Sequence, residues 1–87
     1  MTGECFLCGR WGEVQVHHLI PGANRKKSDE YGLTVTLCPD CHTLGPKSAH
    51  RNPEVMKELK KYGQAMWMKK TGGTVDDFIK EFGRSYL

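Results

Sequence analysis

Two pairs of cysteines with the spacing Cys-x-x-Cys are the strongest constraint on how this 87-residue chain folds. Cys5 and Cys8 form the first pair, and Cys38 and Cys41 form the second. Because both sulfurs of such a pair can reach one tetrahedral ion, two pairs predict a structural zinc site with no open position for chemistry. A domain of this size buries only about 60% of its unfolded surface and benefits from a cross-link. Redox dithiols or free buried thiols are the alternatives, although the βαβ surroundings of a thioredoxin-type motif are missing.

Alternating apolar residues predict two β-strands between the cysteine pairs. Residues 14–20 alternate apolar with polar side chains until Pro21-Gly22 breaks the pattern, and residues 33–37 alternate apolar residues with threonine. We interpret these segments as an antiparallel pair that returns the second cysteine pair to the first. Residues 22–32 between them are polar and charged, and we expect an exposed loop there.

Helical signals follow the fourth cysteine. A short helix is expected directly after it, until Gly45-Pro46 interrupts the chain. Asn52 has the character of an N-cap, and apolar residues at helical spacing predict a helix over about residues 53–70. Thr74 offers a second N-cap, which predicts a final helix over residues 75–82.

The distribution of these signals predicts one domain, residues 1–87, in two parts. All cysteines and histidines lie within residues 1–52, which we interpret as a zinc-stapled core, and residues 53–87 form a helical extension. The length suffices for one domain, and the predicted fold class is therefore a small α+β domain.

Charge and hydropathy limit the class of protein only coarsely. Thirteen lysines and arginines against ten aspartates and glutamates give a net charge of +3, which is a mild indication of an anionic partner. The first residues lack the apolar run of a signal peptide, and no segment approaches the roughly 18 apolar residues of a membrane span. We expect no membrane association and a soluble, cytoplasmic protein, in which cysteines favour metal ligation over disulfides.

Four histidines accompany the cysteines in the first half of the chain: His17, His18, His42 and His50. Adjacent residues on a strand point to opposite faces, so His17 and His18 are awkward as two ligands of one ion. They suit a division of labour in which one imidazole binds a metal and the other reaches a reacting water. A half-exposed histidine without such a role remains the alternative for each of them taken alone.

Together these residues resemble a known family, the zinc-containing HNH endonucleases. The resemblance spans residues 5–42, in which six ligand-type residues fall in the family's order with apolar strand residues between them. The segments that carry it are Cys5-x-x-Cys8, His17-His18-Leu19-Ile20-Pro21 and Leu37-Cys38-Pro39-Asp40-Cys41-His42. Beyond residue 42 the chain is similar to small phage-encoded HNH-like proteins, including the RecA-dependent recombination-enhancement nucleases.

The resemblance implies a ββα-metal fold with additional C-terminal helices and assigns roles to the histidines. His17 and His42 correspond to metal ligands, and His18 corresponds to the general base. The family's asparagine would fall at Leu33, so another residue must orient the base. Asn24 is the nearest substitute, and Asn52 is a weaker one. His50 has no counterpart in the common motif, and it is a further candidate ligand of the catalytic metal.

The resemblance also implies an activity, cofactors and partners. The activity is hydrolysis of DNA phosphodiester bonds, with a structural zinc and one catalytic divalent ion that could be Mg²⁺, Mn²⁺, Ni²⁺ or Zn²⁺. Arg25, Lys26 and Lys27 would contact the phosphate backbone of DNA, unless they form only a solvated charged loop. A phage or prophage origin in a bacterial host, and a recombination or phage protein as partner, are further expectations.

Two other functions remain open at this level. A catalytically silent zinc module could keep the HNH scaffold and bind nucleic acid or a protein, which Leu33 at the asparagine position would explain. A purely structural zinc domain is the second alternative. Trp11 and Trp67 could stack on bases, but we expect packing roles for both.

Overall fold

The computed structural model describes residues 1–87, which form a small α+β fold with two separate two-stranded sheets. The strands and helices are, in chain order, β1 (Thr2–Glu4), β2 (Trp11–Glu13), β3 (Gln15–His18), α1 (Arg25–Tyr31), β4 (Thr34–Leu37), α2 (Pro53–Thr71) and α3 (Val75–Phe82). A 3₁₀ turn (Gly22–Asn24) precedes α1, and a single π-helical turn (Asp40–Leu44) follows β4. No helix combines the length and the apolar character that crossing a membrane requires.

Strands β3 and β4 form the predicted antiparallel pair, with His17 opposite Val35 and His18 opposite Thr34. The first strand is shorter than the predicted range 14–20, because the chain bends after His18. Pairing still continues for one step, since the backbone N–H of Leu19 donates to the carbonyl oxygen of Leu33 at 2.9 Å. The two adjacent histidines therefore lie at the end of the hydrogen-bonded β3–β4 pair.

The hairpin of β1 and β2 was not predicted. It pairs Thr2 with Glu13 and Glu4 with Trp11, and it encloses the first cysteine pair. Each strand has three residues, which is too short for an alternating pattern to appear in the sequence. Trp11 on this hairpin is 72% exposed, so a packing role for Trp11 in the core is wrong.

The segment between β3 and β4 is a helix, and the prediction of an exposed loop over residues 22–32 is wrong. Ser28 of α1 is fully buried, and its hydroxyl accepts from the N–H of Ile20 and donates to the Ile20 carbonyl. Gly32 ends the helix with φ of 70°, a conformation that favours glycine. The polar sequence hid this helix because only Ser28 among its residues is fully buried.

Helices α2 and α3 lie where the sequence predicts them. The Asn52 side chain accepts hydrogen bonds from the N–H groups of Glu54 and Val55, and Thr74 forms a capping box with Asp77. Trp67 of α2 is buried, which confirms its packing role. The core contains residues from both halves of the chain, namely Cys5, Leu19, Ile20, Leu33, Leu37, Cys38, Ala49, Leu59, Trp67, Phe78 and Phe82.

Candidate functional site

The four cysteines lie together, as the spacing predicts. Each offers a sulfur within 4.8 Å of the other three, although no disulfide links them. The first pair lies in the loop between β1 and β2, where Gly9 adopts a positive φ of 74° and its N–H donates to the carbonyl of Cys5. The second pair begins after β4 and enters the π-helical turn. The two turns lie at the two ends of residues 5–41, and the fold therefore brings these ends together.

The charges in this cluster indicate that it could hold a metal ion such as zinc. Burial raises the pKa of the Cys5 thiol, but hydrogen bonds from the backbone of Cys38, Cys8 and Leu7 outweigh burial and lower the pKa to about 6. Burial and the neighbouring sulfurs raise the pKa of Cys41 well above its usual range. Four thiolates repel one another without a cation, and a divalent ion at their centre would remove that repulsion.

Three of the four histidines form a second cluster. The ring nitrogens that His17, His42 and His50 can offer lie within 4.8 Å of one another, and the three ring centroids are 4.8 to 5.4 Å apart. His17 comes from β3, His42 from the π-helical turn after Cys41, and His50 from the segment before α2. The N–H of His50 donates to the His42 carbonyl at 3.1 Å, which folds that segment back onto the turn.

The His17 ring has the properties of a metal ligand. It is 2% exposed, and its Nε2 atom is buried without a hydrogen-bond partner. Burial, together with the neighbouring rings of His42, His50 and His18, lowers its pKa to about 4. Burial and His50 also lower the pKa of His42. Both rings are therefore favoured in the neutral form near pH 7, and a neutral imidazole is the form that binds metals.

Gln15 completes this cluster, and the sequence analysis missed it. Its Oε1 atom lies 2.7 Å from Nδ1 of His42, so a neutral His42 donates its Nδ1 hydrogen to Gln15 and keeps a lone pair on Nε2. That Nε2 atom lies 3.2 Å from Nε2 of His50. A residue that fixes a ligand's tautomer in this way is typical of metal centres. Gln15 lies two residues before His17, but the strand pattern carries no signal for this role.

His18 lies beside the cluster and is held by a different partner. Its Nε2 atom is 2.7 Å from Oδ1 of Asp29, which is on α1. His18 lines a cavity of about 270 Å³ together with the three clustered histidines and Arg25. All four histidines therefore face one concave surface. Asp29 was missed because residues 22–32 were interpreted as a loop, although Leu33 at the asparagine position indicated that another orienting residue was needed.

Several residues expected at the site have other contacts. The Asn24 amide donates to the carbonyl of Phe82 at 2.9 Å, and Asn52 caps α2. Neither amide contacts His18. The Lys27 ammonium donates to the carbonyl of Glu81 and lies 3.6 Å from its carboxylate, so this residue joins α1 to α3. Lys26 is exposed, and of the three basic residues only Arg25 lines the cavity.

Comparison with known proteins supports the resemblance found in the sequence. Residues 5–45 match the HNH endonuclease family, and this range includes both cysteine pairs and the residues His17, His18 and His42. The match covers slightly less than half of the chain and ends before His50. No curated protein and no solved structure matches the chain. The similarity to phage-encoded proteins stays a prediction.

Proposed function

We propose, from the match of residues 5–45 to the HNH endonuclease family, that this protein is a metal-dependent endonuclease that hydrolyses DNA phosphodiester bonds. The observation that carries this proposal is the convergence of His17, His42 and His50 beside His18 in one cavity. Three imidazoles on one side leave coordination positions for water and phosphate, which a catalytic metal needs. The cysteine cluster has no such open position, and its proposed role is structural.

The catalytic metal is proposed to lie among His17, His42 and His50. When bound there, it would supply charge neutralisation at a phosphate oxygen and at the departing 3′ oxygen. The unpartnered Nε2 atom of His17 and the neutral rings of His17 and His42 fit this cation. Three nitrogen ligands favour Ni²⁺ or Zn²⁺, while Mg²⁺ and Mn²⁺ would rely on oxygen ligands from phosphate and water.

His18 is proposed as the general base. Its ring would accept a proton from the attacking water, and Asp29 contacts Nε2 of the same ring. Arg25, at the rim of the same cavity, is proposed to bind a phosphate of the DNA backbone. Lys26 could add a second contact of this kind. Such contacts would make binding sensitive to salt and largely independent of base sequence.

A plasmid-nicking assay tests this proposal. Zinc-loaded protein is incubated with supercoiled DNA and Mg²⁺, Mn²⁺, Ni²⁺ or additional Zn²⁺, and open-circle product is measured over time. His18→Ala should lower the rate about 100- to 10,000-fold. Its affinity for the second metal should stay unchanged, because the other three histidines remain. His17→Ala should lose both nicking and binding of that metal.

The outcomes separate the proposal from its main alternative. Metal-dependent nicking that disappears in His18→Ala supports the nuclease, and nicking that persists in this variant contradicts His18 as the base. Binding of DNA without nicking under any metal would instead support a silent HNH scaffold. His50→Ala tests the third ligand, since metal affinity equal to that of the wild type would remove His50 from the site. The cytoplasmic location, the phage origin and a protein partner stay predictions.

A further inference from the structure

We propose that Asp29 is the positioning residue for His18 and takes the part that an asparagine plays at the position of Leu33 in the family. This inference rests on the proposed nuclease function, because it concerns the orientation of the proposed general base. Leu33 itself is fully buried in the apolar core and offers no polar atom to a histidine. The carboxylate of Asp29 is the group that contacts the His18 ring, at 2.7 Å.

The hydrogen bond selects one tautomer of His18. An ionised carboxylate can only accept hydrogen bonds, so the hydrogen of a neutral His18 ring must lie on Nε2, which faces Asp29. The lone pair then lies on Nδ1, and this atom is the one that can accept a proton from water. Asp29 therefore fixes both the plane of the ring and the nitrogen that acts as base, as the acid does in a catalytic triad.

The fold holds Asp29 in place through its neighbour Ser28. The Ser28 hydroxyl bonds to both the N–H and the carbonyl of Ile20, which follows His18 by two residues. The Ser28 carbonyl also accepts from the N–H of Leu33 at 2.7 Å. These contacts tie α1 to the ends of β3 and β4. Buried hydrogen bonds next to Asp29 thus help to set its position relative to His18.

The helix also explains how two functional side chains reach the same cavity. Arg25 and Asp29 are four residues apart on α1 and therefore lie on one face of the helix. Arg25 lines the cavity, and Asp29 contacts Nε2 of the His18 ring. A seven-residue helix inserted between β3 and β4 thus carries the residue that orients the base and a residue placed to bind phosphate.

The first test compares kcat and KM for DNA among the wild type and three variants, from nicking rates measured over a range of DNA concentrations at saturating metal. Asp29→Ala should lower kcat about 10- to 100-fold while KM for DNA stays close to that of the wild type, since misorientation affects the chemical step. Asp29→Glu keeps a carboxylate and should recover part of the rate. Glu30→Ala is the matched control, because it removes the same charge from an exposed neighbour that forms no ion pair in the structure.

A double variant separates orientation of His18 from a general electrostatic effect. If Asp29 acts through His18, the Asp29→Ala change should cause no further loss in a protein that already carries His18→Ala. An equal loss in both backgrounds would overturn the proposal. A rate for Asp29→Ala equal to those of the wild type and Glu30→Ala would overturn it as well.

The second test reads the tautomer directly and does not depend on activity. The ¹⁵N chemical shifts of the His18 ring, measured near pH 8 to exceed the ordinary histidine pKa of about 6.5, distinguish the two neutral forms. We expect the Nε2–H form in the wild type and a shift toward the Nδ1–H form in Asp29→Ala. An unchanged tautomer in the variant would refute the inference. If the wild type does not nick DNA at all, the proposed function fails, while these spectra still decide whether Asp29 orients His18.

Discussion

Replacing Gly63 with alanine tests whether helix α2 packs closely against the segment that follows His17 and His18. Gly63 is a buried residue of α2, and a Cβ atom built on it would lie 2.8 Å from Cβ of Leu19 and 3.2 Å from Cδ1 of Ile20. Leu19 and Ile20 directly follow the two adjacent histidines of β3. The backbone of α2 therefore packs closely against the segment that leaves the site, and only glycine leaves room for this approach.

The sign of the effect on stability depends on which of two forces is larger. Alanine in place of glycine within a helix stabilises it by about 1 kcal/mol. An extra methyl group in a tightly packed core costs about 1–3 kcal/mol. Because the nearest atom is the Cβ of Leu19, which no side-chain rotation can move away, we expect the upper part of this range. The net result should be a loss of about 1–2 kcal/mol, which lowers the melting temperature by at least about 4 °C in a domain of this size.

Thermal unfolding followed by circular dichroism measures this effect, with zinc and protein concentrations held equal for all variants. Ala65→Gly is the matched control, because Ala65 is exposed on the same helix and its replacement should cost only the helix propensity, about 1 kcal/mol. If packing does not limit position 63, Gly63→Ala would instead raise the melting temperature by several degrees. That result would refute the close contact between α2 and the end of β3.

Three further predictions concern the metal sites. Cys38→Ser should lower the zinc content from about one ion per chain and unfold the protein, because the binding energy of such sites is folding energy. Metal analysis and circular dichroism measure these two effects. A folded variant with full zinc content would contradict the prediction. Gln15→Ala should lower the affinity for the second metal about 10- to 100-fold in calorimetric titrations with Ni²⁺. Gln15→Glu keeps an acceptor for His42 and should bind Ni²⁺ with nearly the affinity of the wild type. If Gln15→Ala binds Ni²⁺ as tightly as the wild type, Gln15 does not have this role. Binding of this metal at pH 6.5 should release fewer protons than the roughly 1.5 that three imidazoles with the ordinary pKa of about 6.5 would release, because the pKa values of His17 and His42 are lowered. Calorimetric titration in buffers of different ionisation enthalpy measures the number released, and a value of about 1.5 or more would refute this.

Local chemistry made one part of the fold predictable from sequence. The Cys-x-x-Cys spacing predicts the cysteine cluster because the geometry of a tetrahedral ion limits which turns can hold two sulfurs. Helices α2 and α3 follow from their caps at Asn52 and Thr74 and from the apolar residues after each cap. These signals lie within a few residues of one another, so no tertiary contact is needed to interpret them.

The parts that could not be predicted depend on tertiary contacts. Helix α1 offers only Tyr31, its last residue, to the apolar core. The helix is also held by the Ser28 hydroxyl on Ile20 and by the Lys27 ammonium on Glu81, which is distant in sequence. The charged run therefore has the composition of a loop although it forms a helix. The same reason hides Asp29 and Gln15, since the role proposed for each depends on the histidine that the fold places beside it.

The arrangement of hydrogen bonds makes the cysteine cluster the support of the histidine cluster. The Cys41 carbonyl accepts from the N–H of Ala49, and the carbonyl of the next residue, His42, accepts from the N–H of His50. On the other side, β4 runs directly into Cys38 and pairs Val35 with His17.

The second cysteine pair thus lies between the backbone segments that bring the three imidazoles together, although no cysteine contributes to the cavity. A structural ion that fixes this pair would hold the three histidines at their mutual distances before a second metal binds. We infer an order of assembly in which the ion at the cysteines precedes the ion at the histidines. Loss of the structural ion should then abolish binding at the histidines as well, even though the histidine side chains are unchanged.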